Sequence, residues 1–186
     1  ILAVGLPAIW MPAGYLCWVW KGCHSTPFIS DLALYLPEST LFKWGLLGTG
    51  LAMMVLMLDL YLIRRNAFQS RGFSPGWLRL NTFSLVPGAF ASMGCIALAF
   101  TPWNVDFSAH VHQADAIFYG GVSWCAIATA GTWRLGKEVP RIWKALPWRL
   151  AGTMLAAVCL GGMIYNAAQF FLSPGFDTDA LIAASQ

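Results

Sequence analysis

Residues 41–63 read LFKWGLLGTGLAMMVLMLDLYLI, a run of 23 residues in which only Lys43 and Asp59 are charged. A helix needs about 20 mainly apolar residues to cross the hydrocarbon layer of a bilayer. This stretch satisfies that length with few charges, so it predicts a transmembrane helix.

The composition of the whole chain agrees with membrane insertion. Hydrophobic residues make up 58% of the 186 residues and charged residues 10%, and the mean hydropathy is +0.62. Soluble domains contain about 25% charged residues, so this chain lacks the polar surface that keeps such domains dissolved. The same composition excludes disordered proteins, nucleic-acid-binding proteins and secreted disulfide scaffolds. We therefore expect an integral membrane protein.

Four further stretches are long and apolar enough for membrane helices. The predicted fold class is all-α, a polytopic transmembrane helix bundle in a single domain over residues 1–186. The five helices are predicted at approximately residues 1–20, 41–63, 80–102, 114–133 and 150–172. Pro87 followed by Gly88 predicts a kink in the third helix, because proline cannot donate the helical hydrogen bond.

Charges between the predicted helices are sorted by sign. The segments 64–79 and 134–149 hold nine of the eleven Lys and Arg residues: Arg64, Arg65, Arg71, Arg79, Arg134, Lys137, Arg141, Lys144 and Arg149. The other two segments, 21–40 and 103–113, are poor in basic residues. The positive-inside rule makes the basic segments the inner loops, on the cytosolic or matrix side, and the other two the outer loops.

Histidines and acids gather on the predicted outer side. His24, Asp31 and Glu38 come from the first outer loop. Asp106, His110, His112 and Asp115 lie in and just after the second outer loop. Imidazole and carboxylate at this density suit a zinc site, a general base for a lipid ester, or a hydrogen-bonded structural network. Because a two-histidine spacing alone does not define a metal site, we predict no metal ion here.

One acid lies inside a predicted membrane helix. Asp59 precedes Arg64 by about one helical turn, which predicts an ion pair that turns toward the basic side. Asn81 is expected to form a hydrogen bond between helices. The sequence contains no Gly-rich phosphate loop, no Gly-x-Ser-x-Gly elbow and no His-Glu-x-x-His pair.

Short motifs along the chain resemble a known family of membrane proteins. The run Pro27-Phe28-Ile29-Ser30-Asp31 is followed by Pro37-Glu38 and then Phe42. Further matches are Asn81 and Gly88 in the third helix, and Val111-His112 with Ala116 entering the fourth. In these residues the chain resembles the damage-regulated autophagy modulator family, which includes the GPI-anchor lipid-remodelling factors and the yeast suppressors of a phosphatidylinositol 4-kinase defect.

The resemblance spans nearly the whole chain and implies a polytopic protein of an endomembrane or the plasma membrane. It also implies a role in lipid composition, GPI-anchor maturation, lipid asymmetry or autophagy. The family usually has glycine at the positions of Ala33 and Asp115. It usually has six helices, so the resemblance implies a sixth helix that is missing from this sequence.

The leading functional hypothesis is a non-enzymatic membrane protein that binds lipid or a membrane partner and influences lipid organisation. Its expected binding residues are His24, Asp31, Glu38, His110, His112, Arg64, Arg65 and Arg141. The expected partners are membrane lipids and other membrane subunits, but no nucleic acid. No cofactor is predicted beyond a bound phospholipid.

Two alternatives belong to other classes of protein. One is a lipid-remodelling enzyme that uses His112 with Asp31 or Asp115. The other is an accessory structural subunit of a larger membrane complex, which could then lie in an organelle inner membrane.

Overall fold

The computed structural model describes residues 2–21 and 29–171. Over these residues the chain is helical and has no β-strand, which confirms the all-α prediction. The helices are α1 (Leu2–Trp20), α2 (Glu38–Ser70), α3 (Pro75–Phe83), α4 (Leu85–Leu98), α5 (Phe107–Gly136), α6 (Pro140–Trp143) and α7 (Leu146–Phe171), and a 3-10 helix (Ile29–Ala33) precedes α2.

Three helical segments among the described residues are long and apolar enough to cross a membrane. They are Glu38–Ser70, Pro75–Leu98 and Pro140–Tyr165. The second consists of α3 and α4, and the third of α6 and most of α7. Together with α1 and α5 they give five long helical bodies at the positions of the five predicted helices.

Helix α2 extends seven residues beyond the predicted end at residue 63, so that only residues 71–74 separate it from α3. Gly72 ends the helix with a φ of +64°, a left-handed conformation that glycine adopts without strain. The amide of Phe73 donates to the carbonyl of Phe68, and that of Gly72 to Gln69, which is the Schellman pattern. Arg64 and Arg65 end the apolar run from which the helix was predicted, but the helix itself continues to the turn at Gly72.

Helix α5 begins at Phe107 rather than near residue 114, so most of the second predicted outer loop is helical. Asp106 caps the helix, since its side chain accepts a hydrogen bond of 2.9 Å from the amide of Ala109. As a result His110, His112 and Asp115 project from a helix and not from a flexible loop.

The third predicted helix is divided at Ser84 into α3 and α4. Pro87 lies three residues further along and cannot donate a hydrogen bond to the carbonyl of Phe83, so the regular helix is interrupted at this turn. The division lies just before the proline, at the turn where the kink is predicted.

The two basic segments share one end of the bundle, which we call the basic end. Phe68 of α2, Phe73 and Leu135 of α5 form a buried cluster, and Ile142 of α6 packs against it. The Arg134 guanidinium lies 4.2 Å from the centroid of the Phe73 ring. Segments 64–79 and 134–149 therefore meet, as expected if both lie on one side of a membrane.

The opposite end, which we call the acidic end, holds the second cluster of buried residues. Its members are Trp10, Leu32, Ala33, Phe42, Leu46, Cys95, Leu98 and Ala99. The ammonium group of Lys43 lies 4.9 Å from the Phe100 ring centroid, which joins the start of α2 to the chain just after α4.

The helices pack in the order α1, α2, α4, α5 and α7, each against the next. Helix α7 contacts α5 and α6, and a hydrogen bond of 2.9 Å joins Thr153 of α7 to Thr129 of α5. No residue in its most apolar 18-residue window is buried. Helix α7 is thus the most loosely held of the long helices that the structure describes.

Candidate functional site

A groove between α4 and α5 holds two of the candidate site residues. Its volume is about 450 Å³. Its walls are Phe83, Val86, Pro87, Phe90, His112, Asp115, Ala116, Tyr119, Gly120, Ser123 and Ile127. We call this the α4–α5 groove.

The local sequence explains how the groove forms. Pro87 interrupts the helix and Phe83, just before the break, contributes to the same wall. On the facing helix Gly120 has no side chain, and a Cβ there would lie 2.6 Å from the Pro87 carbonyl oxygen. The backbones of α4 and α5 therefore touch at Gly120. The larger side chains on either side of this contact border the α4–α5 groove.

The two walls differ in polarity. The α4 wall is apolar and outward-facing, with 61% of Phe90 and 49% of Val86 exposed. The α5 wall carries the polar groups His112, Asp115, Tyr119 and Ser123, which recur every three or four residues and so share one helix face. At a rise of 1.5 Å per residue they extend over about 16 Å. An apolar chain with a polar headgroup would match these walls.

A hydrogen bond within α5 orients the ring of His112. Its Nδ1 atom lies 2.6 Å from the carbonyl oxygen of Ser108. Because a carbonyl can only accept, Nδ1 must carry the proton, and Nε2 of the neutral ring is then an unprotonated acceptor. Asp115 follows one turn later in the same groove. The pair could bind a polar headgroup or act as a general base.

Glu38 lies elsewhere, at the start of α2. Its carboxylate is buried, with 1% of the residue exposed, and Oε2 lies 2.6 Å from Nζ of Lys21. The same ammonium also donates to the carbonyl of Leu36. Glu38 therefore ties the end of α1 to the start of α2, and it does not line the α4–α5 groove.

The remaining candidates at the acidic end are separated as well. His110 is 7% exposed and its Nδ1 lies 2.8 Å from the carbonyl oxygen of Thr101, so it fastens α5 to the preceding loop. Asp31 lies in the 3-10 helix. His24 is outside the described residues. Within residues 2–21 and 29–171, no three His, Cys, Asp or Glu side chains are grouped to hold a metal ion.

At the basic end Arg64 lies inside the bundle. Only 5% of it is exposed, and its Nε donates to the carbonyl of Leu60 at 3.0 Å. The predicted ion pair with Asp59 is wrong, because the ion pairs of the described residues are Lys21–Glu38 and Arg134–Glu138. Five residues correspond to about 140° around a helix, so Asp59 is exposed while Arg64 points inward.

Arg65 and Arg141 lie on the surface of the basic end, where anionic headgroups could reach them. Arg65 is exposed, and its Nη1 donates to the Tyr61 hydroxyl at 3.2 Å. Arg141 is exposed on α6. Contact of these two arginines with a charged membrane surface stays a prediction.

Some site residues were not predicted from the sequence. Lys21 was not expected to pair with Glu38, and the α4 wall of the groove was not expected at all. The signals for that wall were Pro87 and Gly120, since a helix break facing a glycine on a neighbouring helix permits close approach beside an opening.

Comparison with known families agrees with this architecture. A family model described as the Frag1/DRAM/Sfk1/Cwh43P N-terminal domain matches residues 1–177. The chain belongs to this family. Membership confirms the resemblance found in the motifs and, with the three membrane-spanning segments, establishes an integral membrane protein of the Frag1/DRAM type. No curated protein and no solved structure is significantly similar to the chain.

Proposed function

We propose that this Frag1/DRAM-family protein binds a membrane lipid, with an acyl chain in the α4–α5 groove. The observation that supports the proposal is the groove itself, with its volume of about 450 Å³, an apolar wall on α4 and polar residues on α5. Through this binding the protein would influence the organisation of lipids in an endomembrane or the plasma membrane.

The shape of the groove favours a chain-like ligand. The aromatic and aliphatic side chains of the groove point outward, where lipid tails surround a membrane protein. The backbone contact at Gly120 closes the inner side of the groove. An acyl chain held there packs against apolar side chains on α4, but bulk lipid offers most of the same contacts, so apolar packing gives little preference for one lipid. A preference therefore has to come from contacts with the polar groups of the lipid.

The test is to fill the groove and measure the lipid that remains bound. Val86→Trp places an indole on the α4 wall, while Val158→Trp makes the same change at an exposed position of α7 outside the groove. Native mass spectrometry of the purified chain should show retained lipid in the wild type and in Val158→Trp, and much less in Val86→Trp. Equal retention by both variants would contradict the proposal.

A second candidate function is lipid remodelling, and the observation that favours it is His112. Its Nδ1 atom is bonded to the Ser108 carbonyl, so Nε2 of the neutral ring is an acceptor, and Asp115 lines the same groove. General bases of this kind contribute typically 10²–10⁴-fold to rate. His112→Gln should then abolish conversion of a lipid ester while bound lipid is still retained. If the wild type retains lipid but does not convert it, the remodelling function is contradicted and only the lipid-binding function is supported. The accessory-subunit alternative stays a prediction.

A further inference from the structure

Arg64 is a buried cation without a counter-ion. Its Nη2 atom is inaccessible to solvent and has no hydrogen-bond partner. No carboxylate among the described residues lies within ion-pair distance, since the ion pairs there are Lys21–Glu38 and Arg134–Glu138. A buried charge is costly unless it is paired and hydrogen-bonded. The structure therefore provides a strong donor whose acceptor comes from outside these residues.

A second unpartnered polar atom belongs to Asn81. Asn81 lines a small void in the bundle together with Arg64, Phe68, Trp77, Leu80, Ile127 and Gly131. Asn81 is 3% exposed and uses Nδ2 to donate to the carbonyl of Tyr61 at 3.0 Å, which leaves its Oδ1 without a partner. Arg64 and Asn81 both border the void, one with a donor and the other with an acceptor. A ligand that carries an anionic oxygen next to a hydroxyl group would satisfy both.

The surrounding charge selects an anion. Arg149 of α7 is close enough for its charge to act on Arg64. Arg65 and Arg141 add further positive charge to the same end of the bundle. A zwitterionic headgroup would bring a cation into this field, whereas a phosphodiester with a neutral polyol would not.

The void and the α4–α5 groove share one lining residue. Ile127 borders both, so its side chain lies between the two. On the α5 face, 15 residues separate Ile127 from His112, which at 1.5 Å per residue is about 22 Å. That distance is similar to the length of a common acyl chain.

We propose that the lipid of the groove is an anionic phospholipid from the leaflet at the basic end. Its phosphate is bound by Arg64 with support from Arg149, and a headgroup hydroxyl donates to Oδ1 of Asn81. One acyl chain passes Ile127 into the α4–α5 groove. This inference rests on the proposed lipid-binding function and adds the headgroup and the orientation.

Binding requires a local movement, since the void beside Arg64 has no room for a water-sized sphere. The lining of the void comes from α2, α3 and α5. We therefore expect side chains of these helices to shift and let the phosphate reach Nη2 of Arg64.

The experiment compares phosphatidylglycerol, which is anionic and carries hydroxyl groups, with phosphatidylcholine. The purified full chain is exchanged into mixed micelles that contain both lipids in equal amounts, and retained lipid is measured by native mass spectrometry. We expect about a tenfold preference for phosphatidylglycerol, the size of effect that one charge-assisted contact gives.

Matched variants show which residues cause the preference for phosphatidylglycerol. Arg64→Gln should abolish it, while Arg65→Gln, which removes the same charge from the neighbouring exposed position, should keep it. Asn81→Asp supplies a carboxylate beside Arg64 and should also abolish it in a folded protein, so the test does not depend on the stability of Arg64→Gln. Ile127→Trp should reduce retention of both lipids.

The outcomes separate this inference from the proposed function. Retention of both lipids without preference, or equal loss of preference in the Arg64 and Arg65 variants, would overturn the inference and leave the groove function intact. Retention of neither lipid by the wild type would overturn both. Displacement of phosphatidylglycerol by excess inorganic phosphate would show that the site takes free phosphate, and would overturn the assignment to a lipid.

Discussion

Gly120 of α5 and Pro87 of α4 meet backbone to backbone. A Cβ atom on Gly120 would lie 2.6 Å from the Pro87 carbonyl oxygen and 2.9 Å from the amide nitrogen of Ala91. Real Cβ atoms do not approach main-chain atoms so closely, so only glycine fits at this position. The contact fixes the separation of α4 and α5 and with it the width of the groove.

Gly120→Ala should therefore destabilise the protein by about 1–3 kcal/mol, the usual cost of forcing extra atoms into a packed contact. Thermal unfolding in mild detergent measures the change. The control is Gly121→Ala, because a Cβ at that neighbouring position would meet nothing within 4 Å. Alanine is the better helix former, so the control should be neutral or slightly stabilised. Equal effects of the two substitutions would mean that α4 and α5 are not in contact at Gly120.

Lys21→Met should destabilise the acidic end by about 2 kcal/mol, because it leaves the carboxylate of Glu38 buried and unpaired. Adding Glu38→Gln should restore most of the loss, since the buried group is then uncharged. The control is Lys144→Met, the same substitution at an exposed position of the basic end, with an expected effect below about 0.5 kcal/mol. Unfolding monitored by circular dichroism measures all four proteins. A double variant no more stable than Lys21→Met alone would show that the buried charge is not the cause.

The hydrogen bond between Thr129 and Thr153 should contribute about 0.6 kcal/mol, the average for such bonds between membrane helices. A double-mutant cycle with Thr129→Val and Thr153→Val measures this coupling from the unfolding free energies. Thr132 provides the control, since its hydroxyl donates within its own helix to the carbonyl of Ala128. The cycle of Thr132→Val with Thr153→Val should give a coupling near zero. A similar coupling in both cycles would argue against a specific contact of Thr153 with Thr129.

The sequence was sufficient for the fold class and the sorting of charge, because both follow from residue type alone. Apolar length predicts where helices cross a membrane, and basic residues mark one side. The ends of the helices were harder to predict from the sequence, since they depend on local hydrogen bonds. Gly72 ends α2 and Asp106 starts α5, and both signals lie outside the apolar runs that defined the predicted helices.

The site was only partly predictable, because it depends on how helices pack. His112 and Asp115 were expected to act on the acidic side, and the structure places both in a groove. Their opposite wall on α4 could not be inferred, since no periodicity shows which helices are neighbours. Arg64 was expected at the membrane surface with the other arginines, but its position on the α2 helix turns it into the bundle.

The most direct measurement of the central claim is to map where a lipid tail touches the chain. Phosphatidylglycerol with a photoreactive diazirine in one acyl chain is bound to the purified protein, illuminated, and the labelled residues are identified by peptide mass spectrometry. Lipid binding in the groove predicts strong labelling at Val86 and Phe90 of α4 and at Ile127 of α5, and weak labelling at Val55 of α2 and Val158 of α7. Equal labelling at all of these positions would show that the tail moves freely over the lipid-facing surface, and would contradict a bound lipid in the groove.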